Sequence, residues 1–321
     1  MAACAALAGC GGNGEDDERT GGCVEAADGV AATFRATTPA GDRPASGALD
    51  ETVRIICERA GALGLETRVR RSGADRIEVR VDGEQDDLDA LTRPAQLAFY
   101  DWEPNVFGDA NAPVGGLEQA VRAAARRQPR AEEDDIPAGG HSEEIQQRSG
   151  GDESKIREHY DRENDTAGLP PGVDAASVPR GVAIVRDEGQ YFVIEDDAEL
   201  SAGDITDPKQ EFDQPTDEPV VRFGFTDKGA EAFARLTRRV AERGAATPAH
   251  GDTQDRFQRF AIAVDGQILS LAVIDFTANP DGITGDAGAQ LNGIGSVEET
   301  KDLADNLRIG PLPVRLERVG Q

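Results

Sequence analysis

Aromatic side chains are scarce, 5% of 321 residues, and tryptophan occurs once. That argues against base-stacking platforms and against the aromatic clefts that hold sugars. Histidine is scarcer still. His141, His159 and His250 fall in or beside polar stretches, with no pair at metal-ligand spacing on one helix face and no plausible cysteine or carboxylate partner nearby in sequence. They read as solvated loop residues, and no metal or cofactor is expected. The sequence has no G-x-S-x-G elbow, phosphate loop or dinucleotide fingerprint. Asn279-Pro280-Asp281-Gly282 followed by Asp286 looks like a calcium loop only superficially. It lacks oxygen ligands at alternate positions and the closing glutamate, so a plain turn is the better reading.

Positive charge is also in deficit. Against 61 acidic residues stand 34 basic ones, leaving a formal charge of −27. Binding to a phosphate backbone needs clustered cations, so no nucleic-acid partner is expected. Adsorption to an anionic lipid surface is disfavoured on the same ground. With 61 carboxylates, pairs of them in sequence do not single out acid–base chemistry. No catalytic constellation emerges, and the chain reads as a protein other than an enzyme. Nor does any apolar run approach the ~20 residues of a spanning helix. The longest candidate, 260–276, is interrupted by Asp265-Gly266-Gln267.

What is present is clearest in the last fifth. Phe260, Ile262 and Val264 alternate, Asp265-Gly266 tolerates positive φ, and 268–276 is apolar again, which predicts a β-hairpin with a largely buried second strand. Because it is apolar on both faces, its sheet is either covered on both sides or offers one side to a partner. Ser296 and Glu299 form a capping box ahead of a helical stripe, Val297, Thr300, Leu303, Ala304 and Leu307. Gly310 and Pro311 stop that helix, and a final strand follows over 312–319.

Residues 24–99 read as one unit. Val30, Ala32 and Phe34 alternate; Asp50 can cap a helix with the stripe Val53, Ile56, Cys57, Ala60 and Leu63, ended by Gly64. Val69, and then Ile77, Val79 and Val81, flank a turn; Leu88 and Leu91 mark a short helix; Leu97 and Phe99 begin a further strand. The order βαββαβ is ferredoxin-like. A short amphipathic helix is predicted at Leu117, Ala120, Val121 and Ala124. Residues 130–165 are acidic and almost free of large apolar side chains, too poor in burial to offset ordering entropy, so they read as a mobile insertion. From 181 an α+β pattern resumes. A hairpin is expected around Glu188-Gly189. The strand residues Val220, Val221, Phe223 and Phe225 then precede the cap Thr226 and a helix carrying Ala230, Phe233, Leu236 and Val240.

These segments carry a family resemblance. "E-R-A-G-A-L-G" at 58–64, "A-D-R-I-E-V" at 74–79, Asp265-Gly266, Ile283-Thr284-Gly285, "L-A-D-N-L-R-I-G" at 303–310 and Leu312-Pro313-Val314 together resemble the first large extracytoplasmic domain of the SecD family, accessory subunits of the Sec translocase. The motif positions so matched are Arg59, Gly64, Arg76, Gly83, Asp265, Gly266, Gly285, Leu307, Gly310 and Pro313. The resemblance implies an α+β chain: a ferredoxin-like base at 24–101, a linker with the acidic insertion at 102–180, an inserted head at 181–310, and a strand at 311–321 returning to the base. It further implies binding of unfolded secretory polypeptide in Sec-dependent export, with the Sec translocon as partner. SecD itself carries membrane helices that house proton coupling, and no run here could serve as one, so no motor is expected.

At the N-terminus Leu7-Ala8-Gly9-Cys10 resembles the lipobox of bacterial lipoproteins. Residues 1–10 would then be a signal, Cys10 the lipidated end, and the polar stretch 11–23 a tether, with the lipid as the sole membrane contact on the extracytoplasmic face. Cys23 and Cys57 remain as an isolated pair that an oxidising compartment would join; the plain alternative is that Cys57 is a small core residue. The other reading of the whole is an envelope lipoprotein that reuses the fold for interaction or adhesion.

Overall fold

The computed structural model describes residues 23, 29–38, 41–106, 113–126, 178, 181–248 and 252–319. Cys10 with its lipobox, the acidic stretch 130–165 and all three histidines lie outside the described residues.

Strand β1 (Val30–Thr37) turns Phe34 and Ala36 inward. Helix α1 (Ser46–Leu63) buries one stripe that includes Leu49, Val53, Ile56 and Ala60, and Gly64 ends it in the left-handed region at φ 71°. The helix begins a turn before Asp50, from an Ala45 that makes no side-chain cap. The extra turn brings Leu49 into the core, and Asp50 instead accepts a hydrogen bond from Arg71 at 2.8 Å. β2 (Thr67–Arg71) and β3 (Arg76–Val81) form a hairpin, and α2 (Gln85–Thr92) packs Leu88 and Leu91 beneath it.

Then come β4 (Leu97–Asp101), α3 (Trp102–Val106) and α4 (Leu117–Ala124), and after them the hairpin β5 (Val182–Asp187) and β6 (Gln190–Glu195). Short β7 (Leu200–Ser201) leads to β8 (Ile205–Phe212) and β9 (Pro219–Phe225). α5 (Asp227–Ala246) starts at Thr226, whose hydroxyl accepts the Gly229 N–H at 3.0 Å. β10 (Gln258–Val264) and β11 (Gln267–Ile274) follow, then β12 (Ala289–Leu291). α6 (Val297–Ile309) opens with the Ser296–Glu299 capping box, and β13 (Arg315–Arg318) closes the described chain.

Three sheets result, ordered β13-β1-β3-β2, β6-β5-β11-β10-β4-β7 and β12-β9-β8. The first, with α1 and α2 on one face, is the ferredoxin-like base. Its fourth strand is β13, which pairs Arg315 to Arg318 with Thr37 to Phe34. Leu97 and Phe99, expected in the base, belong instead to the second sheet, where β4 pairs with β10 and β7. Local alternation identifies a strand but not its neighbour. The apolar partners that complete β4 lie more than a hundred residues downstream.

The β10–β11 hairpin is covered on both faces. On one side Phe260, Ile262, Val264 and Ile274 join the head core. At its centre the rings of Phe99, Phe223, Phe225, Phe233 and Phe260 meet mostly edge to face, with centroids 4.8–6.5 Å apart. The few aromatics of the chain are thus concentrated here. On the other side the six-stranded sheet curls upon itself: small Ala183, Ala261 and Ala263 let Tyr100 and Trp102 reach Phe192 and Ile194. Helix α4 covers the outside of the β5–β6 hairpin through Ala120 and Ala124.

Candidate functional site

The hairpin of β10 and β11 has two ends with different tasks. At its turn, Asp265 (φ 52°) and Gly266 (φ 73°) take the left-handed conformations that a two-residue hairpin loop requires. The Asp265 N–H donates to the Gln96 carbonyl at 2.9 Å, and its Oδ1 accepts the Gln96 N–H at 2.8 Å. The turn therefore grips the segment linking α2 to β4, where Ala95 is itself bent to φ 58°. Burial pushes the Asp265 carboxyl up, opposed by the Gln96 amide and the nearby Arg93 and Arg59 guanidiniums.

The same segment is held from the base by Arg59. This fully buried guanidinium donates to the carbonyls of Leu91 (3.3 Å), Arg93 and Gly310 (2.8 Å). Those carbonyls end α2 and α6, so one side chain satisfies two helix C-termini. Desolvation lowers its pKa to about 10, against the attraction of Asp265, which leaves it charged at neutral pH. Leu312 N–H donates to Pro94 O at 3.0 Å, completing the knot. Base and head thus meet at a junction dense in hydrogen bonds, in which Arg59 Nε and Asp265 Oδ2 stay buried without a hydrogen-bond partner among the described residues.

At the other end the hairpin is open. β5 runs parallel to β11 but pairs with it only at Arg186 and Gln267. Beyond that point β5 turns away at Glu188-Gly189, and among the described residues no strand pairs with the outer edge of β11 from Leu269 to Val273. This edge is apolar. Leu269, Leu271 and Ala272 are half-buried and Val273 is 56% exposed. At its mouth stand Asp187 and Glu188; Arg259 is paired with the buried Glu103 at 2.9 Å. Burial and the neighbouring Glu188 raise the Asp187 carboxyl, with Arg259 opposing. An unpaired strand edge offers main-chain donors and acceptors to an extended peptide, with side-chain pockets at every second position.

Of the motif residues, the structure brings Arg59, Asp265, Gly266 and Gly310 to the junction, with Leu312-Pro313-Val314 beside them. Leu307 lies in the head core, and Gly285 lets its loop touch α5: a Cβ there would sit 2.6 Å from Ala230 Cα. Gly64 caps α1, Gly83 clears the Asp87 carboxylate that caps α2, and Arg76 lies on the outer face of the base sheet. Cys23 and Cys57 form a disulfide with Cα atoms 5.2 Å apart. Sequence reasoning missed the 93–96 segment and the open edge. The first has no motif, and the second depends on which strand stops short. Among the described residues no cluster of three His, Cys, Asp or Glu could hold a metal, and no helix is long and apolar enough to cross a membrane.

Residues 180–314 match the family model of the SecDF P1 head subdomain. The protein translocase subunit SecD of Acidaminococcus fermentans is 33% identical over 130 residues, covering 40% of this chain and 26% of that protein. SecD of Synechocystis sp. is 27% identical over 269 residues, covering 83% of this chain and 46% of that protein. The chain therefore spans from about a quarter to about half the length of these curated relatives. A solved structure of SecDF, described as a membrane component that enhances protein export, is 22% identical with a TM-score of 0.49, covering 91% of this chain and 99% of that one.

Proposed function

We propose that residues 180–314, which match the SecDF P1 head subdomain, act as the head of a SecD-like extracytoplasmic domain, and that this chain takes part in protein export by holding unfolded polypeptide in extended form along β11. The observation that carries the reading is the apolar edge from Leu269 to Val273, with which no strand pairs among the described residues. Among the described residues the head shows no broad apolar surface: its large exposed apolar side chains there are Phe212, Val273 and Val297, scattered among polar ones. Main-chain pairing suits clients of varied sequence because every residue supplies an amide. The acidic mouth at Asp187 and Glu188 favours clients with basic residues beside the apolar stretch. Binding should be weak, micromolar or poorer, since an unfolded client loses conformational freedom on pairing and must be passed on. The Sec translocon is the proposed partner downstream, and Cys10 the proposed lipid anchor.

The test uses the full chain titrated with a reduced, unfolded secretory protein at moderate salt, read by fluorescence anisotropy. Saturable binding is expected for the unfolded client and none for the folded one. Val273→Lys, at an exposed site where stability should change by no more than about 0.5 kcal/mol, should weaken binding about tenfold by placing charge on the edge. Equal binding of folded and unfolded client, or an unaffected variant, removes the mechanism. The anchor is checked separately: Cys10→Ser should move the protein out of the membrane fraction and abolish fatty-acid labelling.

A further inference from the structure

The net charge of −27 hides a local reversal. Among the described residues the base sheet has helices on one face only; on the other, β-alternation lines up side chains that are far apart in sequence. Arg68 of β2 stands directly opposite Arg80 of β3, and Arg76 of β3 directly opposite Arg35 of β1. Between these rows Arg70 opposes Glu78, and at the β13 edge Arg35 opposes Glu317. Both carboxylates are taken, Glu78 by Arg70 at 2.8 Å and Glu317 by Arg35 at 2.9 Å. Among the described residues Arg68, Arg76 and Arg80 make no ion pair, and the buried Nε of Arg68 has no hydrogen-bond partner.

Like charges directly opposed across a sheet are destabilising. The two arginine pairs, with the Arg70–Glu78 ion pair between them, form an array that an external anion would relieve. We infer that this open face docks on anionic phospholipid headgroups. Several features favour a lipid surface over other anions. The cleft at the β1 edge of this face, lined by Ala31, Thr33, Glu78, Gln85 and Arg318, contains none of Arg68, Arg76 and Arg80, so the arginine rows suit an extended plane of charge better than a single ligand. Among the described residues the face carries no aromatic ring on which nucleic-acid bases could stack. Its cations are arginines, whose planar forks bind phosphate through paired donors. The acidic remainder of the protein does not cancel the effect at physiological salt. The Debye length is then about 8 Å, while the helix layer, with Glu51 and Glu58, lies behind a sheet-to-helix spacing of about 10 Å. At about 0.01 M salt the Debye length reaches about 30 Å, so the whole negative body is felt and repels. At 1 M even the face is screened. Binding should therefore peak at intermediate ionic strength, unlike that of a uniformly basic protein.

The experiment uses the full chain carrying Cys10→Ser, so that no acyl chain contributes. It is sedimented with phosphatidylcholine vesicles with and without about a third phosphatidylglycerol, at salt from about 0.01 to 1 M. Binding to the anionic vesicles alone, strongest near about 0.1 M, is expected. Each arginine at such a surface contributes about fivefold, so Arg68→Gln with Arg80→Gln should weaken binding about twenty-five-fold. Arg76→Gln, at an exposed position, should weaken it about fivefold without risk to the fold. Arg54→Gln, on the opposite layer, should leave it unchanged. The inference is overturned if neutral vesicles bind equally, if the Arg68/Arg80 variant binds as before, or if nothing binds at about 0.1 M. It is also overturned if polyglutamate or duplex DNA, but not vesicles, shows the dependence on Arg68 and Arg80. Client binding along β11 is read in a separate assay, so either proposal can fail without the other.

Discussion

Asp265 serves as a turn residue and as a latch, and the two roles titrate differently. Its left-handed backbone asks only for a side chain such as Asp or Asn, whereas its carboxylate captures the Gln96 amide in a desolvated site. Burial raises the carboxyl above its unfolded value. Its stabilising contribution is therefore fully present below the ordinary carboxylate pKa and lost as pH rises through the raised native one. Asp265→Asn keeps the acceptor and removes the charge. Relative to wild type it should gain stability as pH rises from about 4 to 7, as measured by urea midpoints. Parallel profiles would show that this carboxyl is not the titrating group. Asp265→Ala loses the acceptor and should cost about 1–3 kcal/mol at about pH 4, where the wild-type contribution is full, and less as pH rises. The latch was only half legible in the sequence. Asp-Gly between apolar runs announces the turn, and Arg59 sits between Ile56 and Leu63 on the buried side of a helical stripe. What each of them grips, from 32 to 251 residues away, has no local signature.

Elements were most legible where their ends carry side-chain chemistry. Ser296 with Glu299 and Thr226 ahead of Gly229 start α6 and α5 where the sequence predicts. α1 starts early because Leu49 finds core, a tertiary gain that overrides the missing cap. β4 was seen as a strand, yet its sheet was not, since pairing with Phe260 to Val264 is decided by the fold of the head. The basic face of the base was the least visible of all: period two places its arginines, but whole-chain composition conceals them. The Cys23–Cys57 disulfide ties the residue ahead of β1 to α1 across a separation of 34. In the chain-entropy model it contributes about 3–4 kcal/mol. Cys57→Ser should lower base stability by that order, and reduction of the wild type should reproduce the loss; indifference to reductant would mean the bond contributes nothing.

At the scale of the whole molecule the base is not finished until the head has been traversed. Leu312 and Val314, both buried, and β13 close its core and its sheet. Ending the chain after Gly310 removes them, along with about 1.5–3 kcal/mol of burial for each of the two side chains. Amide exchange should then lose protection in β1 and β3 while the Phe99–Phe233 region of the head stays protected. Uniform loss would mean the two parts unfold as one. The same insertion sets a clock. Arg35 of β1 pairs with Glu317, 282 residues later, so at 5–20 residues per second β1 waits roughly 15–60 s during synthesis for its last neighbour. For that interval the nascent chain displays a bare strand edge of its own, the same kind of unsatisfied backbone that β11 is proposed to hold for others.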